Sequence, residues 1–213
     1  MTCRALANGL YAITDEQLIP PGQLTRCVGE AIAGGASVIQ YRNKQGLAQQ
    51  RQHEATALVK LCHQHSIPLI INDDVALAIS AGASGVHLGK SDASIEQARQ
   101  QLGSQAIIGM SCYNSLERAV AAAEAGADYV AFGRFFTSHS KPNAQPADIT
   151  LLNQARRQLD LPIVAIGGIT PDNGGSLLAA GANLLAAIHG VFGQADIRAA
   201  ATRYADLFRD SHA

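Results

Sequence analysis

Tryptophan is absent from this sequence, and no run of like charges interrupts it: 16 lysines and arginines stand against 17 aspartates and glutamates, a formal net charge of -1. So even a balance excludes a nucleic-acid groove or an anionic membrane surface as the main partner. Any anion site must then be local, built from a few placed residues. Long apolar runs are also missing. Leu177 to Ile188 is broken by Gly181 and Asn183, and so is not a membrane span. Met1 to Asn8 contains Arg4 but no long apolar region, so no signal peptide is expected. Cys3, Cys27, Cys62 and Cys112 are scattered and form no metal-type pair, which reads as reduced thiols in a cytoplasmic protein. No Gly-x-Gly-x-x-Gly follows the first strand, which weakens an open doubly wound sheet. No Ser-His or Cys-His arrangement suggests a protein nucleophile.

What the chain does have begins at Ser37-Val38-Ile39-Gln40-Tyr41-Arg42-Asn43-Lys44. The β-branched start reads as a strand, and strand side chains alternate faces. Val38, Gln40, Arg42 and Lys44 therefore share one face. An apolar residue is followed by an amide, a guanidinium and an ammonium toward the carboxyl end. Core burial does not call for that series. A bound polyanion does, because planar Arg and point-charge Lys both pair with phosphate oxygens. A solvated basic strand end is the competing reading.

Further short apolar runs occur at Leu10–Thr14, Pro68–Ile71, Gly85–Leu88, Ala106–Met110, Tyr129–Gly133, Ile163–Ile166 and Leu184–Ile188. Helical stretches separate them: Leu24–Ala33, Leu47–His65, Val75–Ala81, Ser94–Leu102, Ser115–Ala125, Leu151–Leu159 and Pro171–Ala180, with Ile197–Phe208 last. Ser115 and Arg118 make an imperfect capping box. Gly follows Ala at several helix ends, as in Ala81-Gly82 and Ala125-Gly126, where it supplies a left-handed cap. The alternation predicts an α/β fold, a single-domain (β/α)8 TIM barrel over residues 1–213, with the open sheet as alternative.

In such a barrel the active site lies at the carboxyl ends of the strands. Gln40, Arg42, Lys44, Asn72, Asp73, Asp92, Ser111, Lys141, Gly168 and His189 all stand there. Asp73 and Asp92 follow strands three and four. Two carboxylates together with phosphate oxygens hold Mg2+, which keeps some of its waters; the alternative is that either one caps the next helix. Ile166-Gly167-Gly168-Ile169-Thr170 precedes a helix and offers backbone N–H groups to a phosphate, or is only a tight turn. Ser138-His139-Ser140-Lys141 adds hydroxyls and a charge in a polar loop. His63 and His65 read as solvent-facing, and His87 as a core histidine or a pocket residue.

Taken in order, several of these pieces resemble one family. They are Leu10-Tyr11-Ala12-Ile13-Thr14-Asp15, Gln40-x-Arg42-x-Lys44, Ile71-Asn72-Asp73-Asp74, Gly85-Val86-His87-Leu88-Gly89 with Asp92, Gly109-Met110-Ser111 and Ile166-Gly167-Gly168-Ile169. The family is thiamine phosphate synthase, also called thiamine-phosphate pyrophosphorylase, and the resemblance runs from Leu10 to about Gly190. It implies a cytoplasmic transferase of thiamine biosynthesis that joins hydroxymethylpyrimidine diphosphate to a thiazole phosphate and releases diphosphate. The family is thought to ionise the pyrimidine first. By resemblance, Gln40, Arg42, Lys44, Asn72, Ser111 and Lys141 bind the pyrimidine diphosphate, and the intervening Tyr41 and Asn43 are counted with them. Asp73 and Asp92 match the Mg2+ ligands. Ser138, His139 and Ser140 match the loop that touches the thiazole phosphate, and Gly168, Ile188 and His189 match its cradle. The implied partners are small phosphorylated molecules, with no nucleic acid and no membrane; a homo-oligomer is compatible. Arg134 stands where the family usually has Pro, Lys90 for Gln, Tyr113 for His and His189 for Ser. A thiazole tautomerase on the same barrel and a non-catalytic thiamine phosphate-binding protein are the alternatives.

Overall fold

A computed structural model of the chain describes residues 6–137 and 145–210. Eight strands, all paired in parallel, close into a barrel in sequence order, with β1 completing the ring against β8. They are β1 Gly9–Ile13, β2 Ala36–Tyr41, β3 Leu69–Asn72, β4 Gly85–Leu88, β5 Ile107–Tyr113, β6 Tyr129–Phe132, β7 Ile163–Ile166 and β8 Leu184–Ala187. The helices are α1 Leu24–Ala33, α2 Ala48–Gln64, α3 Val75–Ala81, α4 Ile95–Leu102, α5 Leu116–Glu124, α6 Thr150–Gln158, α7 Pro171–Ala179, α8 His189–Phe192 and α9 Ile197–Asp210. The expected (β/α)8 barrel is present. Two elements differ from the sequence reading. Strand β5 runs to Tyr113, with an irregularity in its register between Ser111 and Tyr113. Helix α8 was not expected, since four residues are too few to show helical periodicity.

Alternation along each strand divides the apolar residues into two shells. Outward-facing Leu10, Ile39, Ile71, Val86, Ile108, Val130, Ala165 and Leu185 pack against the helices in one core. Inward-facing Tyr11, Ile13, Val38, Ile70, Ile107, Tyr129, Val164 and Leu184 fill the barrel. Helix α2 contributes Ala55, Leu58 and Cys62 to the outer shell. Burying a side chain such as Leu58 contributes roughly 1.5–3 kcal/mol relative to leaving it exposed.

Short polar side chains start some of the helices. Ser94 and Gln97 form a full capping box on α4, and Asp74 accepts from the Leu77 N–H to start α3. Ser115 Oγ accepts from the Arg118 N–H, so the imperfect box works as a single cap. Gly82, with φ +73°, gives the left-handed stop after α3.

The inner shell has close approaches that depend on glycine. A Cβ on Gly109 of β5 would lie 1.9 Å from Cζ of Tyr129. The Tyr129 ring therefore occupies space that any other residue at 109 would need. Among the described residues, no helix is long and apolar enough to cross a membrane.

Candidate active site

The strand alternation of β2 delivers Gln40 and Arg42 to the barrel mouth, as expected. Arg42 Nη1 lies 3.1 Å from Asp15 Oδ2 and 3.9 Å from Glu16 Oε2, both just past β1. Buried Thr14 ties the same two strand ends, its Oγ1 accepting from the Arg42 N–H at 2.9 Å. Lys44 follows, with its N–H on Glu16 Oε1 and its Nζ 3.6 Å from Asp73 Oδ2. The two cations are thus held by carboxylates rather than left loose in solvent. Tyr41 and Asn43 point the other way. The Tyr41 hydroxyl and the Asn43 amide both donate to Glu54 Oε2 of α2, and Asn43 Oδ1 accepts from the Gly46 N–H.

Asp73 directly follows β3 and adopts φ +64°, a left-handed conformation that Asp tolerates better than most residues. Its N–H donates to the His87 carbonyl at 2.8 Å, which fixes it to the end of β4. Asp92 Oδ2 accepts from the Gly89 N–H at 2.6 Å. Neither is the cap of a helix: Asp74 caps α3 and Ser94 caps α4. Asp73 and Asp92 interact with each other instead. Burial, then hydrogen bonding to Asp92 and the Asp92 charge, raise the Asp73 carboxyl above its ordinary range; Lys44 opposes the rise. Two carboxylates pressed together make a donor set suited to a hard cation. The described residues contain no cluster of three or more metal-ligating side chains. The Asp73–Asp92 pair would suit Mg2+, which binds through one or two carboxylates plus phosphate oxygens and water.

Two hollows meet at this end of the barrel. One, of about 350 Å³, is lined by Tyr11, Gln40, Arg42, His87 and Ser111 on one side and by Gly168, Ile188 and His189 on the other. Its floor is apolar, with Ile13, Val164 and Ala186. The second, of about 480 Å³, carries Lys44, Arg51, Asp73 and Asp74, with Tyr41 and Asn43 on its wall. Asn72 lines both. Gly167 and Gly168 have φ +104° and +62°, and a Cβ on Gly168 would lie 2.2 Å from the Thr137 carbonyl oxygen. Only glycine lets the loops after β6 and β7 approach so closely. The Gly133–Arg134 peptide in the first of these loops is cis.

Ser138, His139, Ser140 and Lys141 lie outside the described residues. Ser111 faces the first hollow and accepts or donates a 2.9 Å hydrogen bond with His87 Nε2. His87 is both of its readings at once: nine-tenths buried, and part of the pocket wall. His63 and His65 are exposed at the end of α2. Sequence reasoning overlooked Asp15 and Glu16, which hold Arg42 and the Lys44 backbone, and Tyr11 and Tyr129 inside the barrel. The available signal for Tyr11 was its inward position on β1, where a purely structural barrel prefers aliphatic residues.

A family profile described as thiamine monophosphate synthase matches residues 10–191. The chain belongs to that family. It is 55% identical over 201 residues to the thiamine-phosphate synthase of Nitrosococcus oceani, covering 94% of this chain and 93% of the relative. Identity to the thiamine-phosphate synthase of Alcanivorax borkumensis is 50% over 205 residues, covering 95% and 94%. The solved structure of a thiamine phosphate pyrophosphorylase from Pyrococcus furiosus superposes with a TM-score of 0.87 at 33% identity, covering 95% of this chain and 96% of that one. Membership in the thiamine monophosphate synthase family thus extends across the whole barrel.

Proposed function

We propose that this barrel is a transferase that joins hydroxymethylpyrimidine diphosphate to a thiazole phosphate, releasing diphosphate and forming thiamine phosphate. The observation that carries the reading is the meeting of Arg42, Lys44 and the Asp73–Asp92 pair beside a largely apolar hollow. Relatives at 50–55% identity with the synthase name support it. Gln40, Asn72 and Ser111 bind the pyrimidine end. Arg42 and Lys44 bind the diphosphate, with Lys141 from outside the described residues. Gly168, Ile188 and His189 receive the thiazole phosphate together with Ser138, His139 and Ser140. Asp73 and Asp92 would hold Mg2+, which neutralises charge growing on the leaving diphosphate. The chain's own contribution is to hold the two substrates in line while water is kept from the reacting carbon. Cys27, Cys62 and Cys112 are unpaired and buried, which supports a cytoplasmic enzyme.

The test is diphosphate release from purified protein given both substrates, with Mg2+ and with excess chelator. Release that requires both substrates and stops with chelator is expected. Absence of release would sink the synthase reading and direct attention to thiazole isomerisation.

A second expectation concerns Asp15. Its carboxylate orients Arg42 through a charge-assisted hydrogen bond of 3.1 Å. Asp15→Asn should raise the KM for the pyrimidine diphosphate roughly tenfold, the scale of one such bond, and leave the KM for the thiazole phosphate unchanged. A fall in the first KM would mean that Asp15 competes with the diphosphate for Arg42.

A further inference from the structure

A row of hydrogen bonds crosses the barrel interior beneath the mouth. Gln40 Nε2 donates to Tyr11 Oη at 2.9 Å. Tyr11 Oη and Tyr129 Oη are 2.7 Å apart. Tyr129 Oη lies 2.9 Å from His87 Nδ1, and His87 Nε2 lies 2.9 Å from Ser111 Oγ. The row enters from β2, passes through β1, β6 and β4, and returns to the mouth on β5. The two tyrosines meet edge to face and the His87 ring stacks on Tyr129, so the ring planes are set as well as the polar atoms.

The direction of the row follows from counting hydrogens. Burial raises both phenols well above their ordinary range, so each keeps one hydrogen to donate. Tyr11 receives from Gln40, so its own hydrogen goes to Tyr129. Tyr129, having received, donates to His87 Nδ1. His87 then carries its hydrogen on Nε2 and gives it to Ser111. Ser111, already an acceptor, has its hydroxyl hydrogen left for the hollow. With Gln40 Nε2 donating, reversing the Tyr11–Tyr129 or the Tyr129–His87 step would leave one phenol hydrogen without an acceptor in the row, which costs about as much as a lost buried hydrogen bond.

We infer that Tyr11, Tyr129 and His87 are positioning residues that fix the polarity of two pocket groups, making Ser111 a donor and leaving Gln40 Oε1 as an acceptor. A donor and an acceptor presented this way suit a flat heterocycle that carries an amino group beside a ring nitrogen. The inference rests on the proposed pyrimidine-binding role of Gln40 and Ser111.

Two measurements test it. The first needs no turnover: long-range 1H–15N correlation of the histidine rings in the wild-type protein, with His87 identified by its loss in His87→Gln. The expected pattern is Nε2 protonated and Nδ1 bare. Protonation at Nδ1, or at both nitrogens, would reverse the row and overturn the inference. The second is Tyr129→Phe, which removes one hydroxyl and keeps the ring. The KM for the pyrimidine diphosphate is expected to rise about tenfold, one neutral hydrogen bond's worth, with the KM for the thiazole phosphate unchanged. Equal effects on both substrates, or none on either, would reduce the row to packing. If wild-type protein releases no diphosphate, the synthase reading fails while the His87 spectrum still decides the direction of the row.

Discussion

Asp73→Asn is expected to abolish Mg2+-dependent turnover and, in metal-free protein, to raise the melting temperature. The two effects have one origin. Asp73 is held against Asp92, and its carboxyl is raised by burial and by that neighbour more than Lys44 lowers it. A cation relieves the repulsion; without one the pair is a liability that the site keeps for its function. Loss of a charged ligand at a centre of developing charge should lower kcat by about a hundredfold or more. The pH dependence has a definite sign. A carboxyl whose folded value is raised binds its proton more tightly when folded than when unfolded. Its ionised form therefore weakens the fold above the raised value, and that disadvantage disappears as pH falls through it toward the ordinary carboxylate value. The melting-temperature gap between Asp73→Asn and wild type should be largest near neutral pH and close on acidification. Saturating Mg2+ should reverse the order, since a ligand of the native state stabilises only the protein that binds it. Near-wild-type turnover in Asp73→Asn would remove the metal assignment, and a lower melting temperature without metal would contradict the charge argument.

Gly109→Ala is expected to be strongly destabilising and to reach the substrate site as well. The new carbon would meet the Tyr129 ring at 1.9 Å, and that ring is fully buried between Tyr11 and His87. Neither rigid neighbour gives the ring an easy retreat. Overpacking of this kind costs about 1–3 kcal/mol, which for a chain of this size lowers Tm by several degrees. Because the displaced ring takes its hydroxyl with it, the KM for the pyrimidine diphosphate should rise as well. A cycle with Tyr129→Leu separates the causes: in that background Gly109→Ala should cost much less. Unchanged stability and unchanged KM in the single variant would mean that the strands separate more readily than the packing implies.

Period-two alternation was enough to place Gln40 and Arg42 at the mouth, and the helix-strand rhythm was enough for the barrel. The same alternation puts Tyr41 and Asn43 on the opposite face of β2, where Glu54 receives them. Asp73 and Asp92 were legible as a pair because each stands within a few residues of a strand end, on neighbouring strands. Their freedom from helix capping was not, since it depends on Asp74 and Ser94 taking those roles. The Tyr11–Tyr129 contact joins residues 118 positions apart, and no local pattern carries such a distance. Asp15 was hidden for a related reason: its partner Arg42 lies 27 residues on, and only closure of β1 against β2 brings the two together.

Asn72 lines both hollows, one largely apolar and one charged. That shared wall works as a ruler. In the proposed binding mode, a molecule must be long enough to rest its flat ring in the first chamber while its anionic tail passes Asn72 to reach Lys44. In that mode a ligand with a shortened tail would occupy the ring chamber alone and leave Lys44 on Asp73, so the site would discriminate by reach as well as by charge.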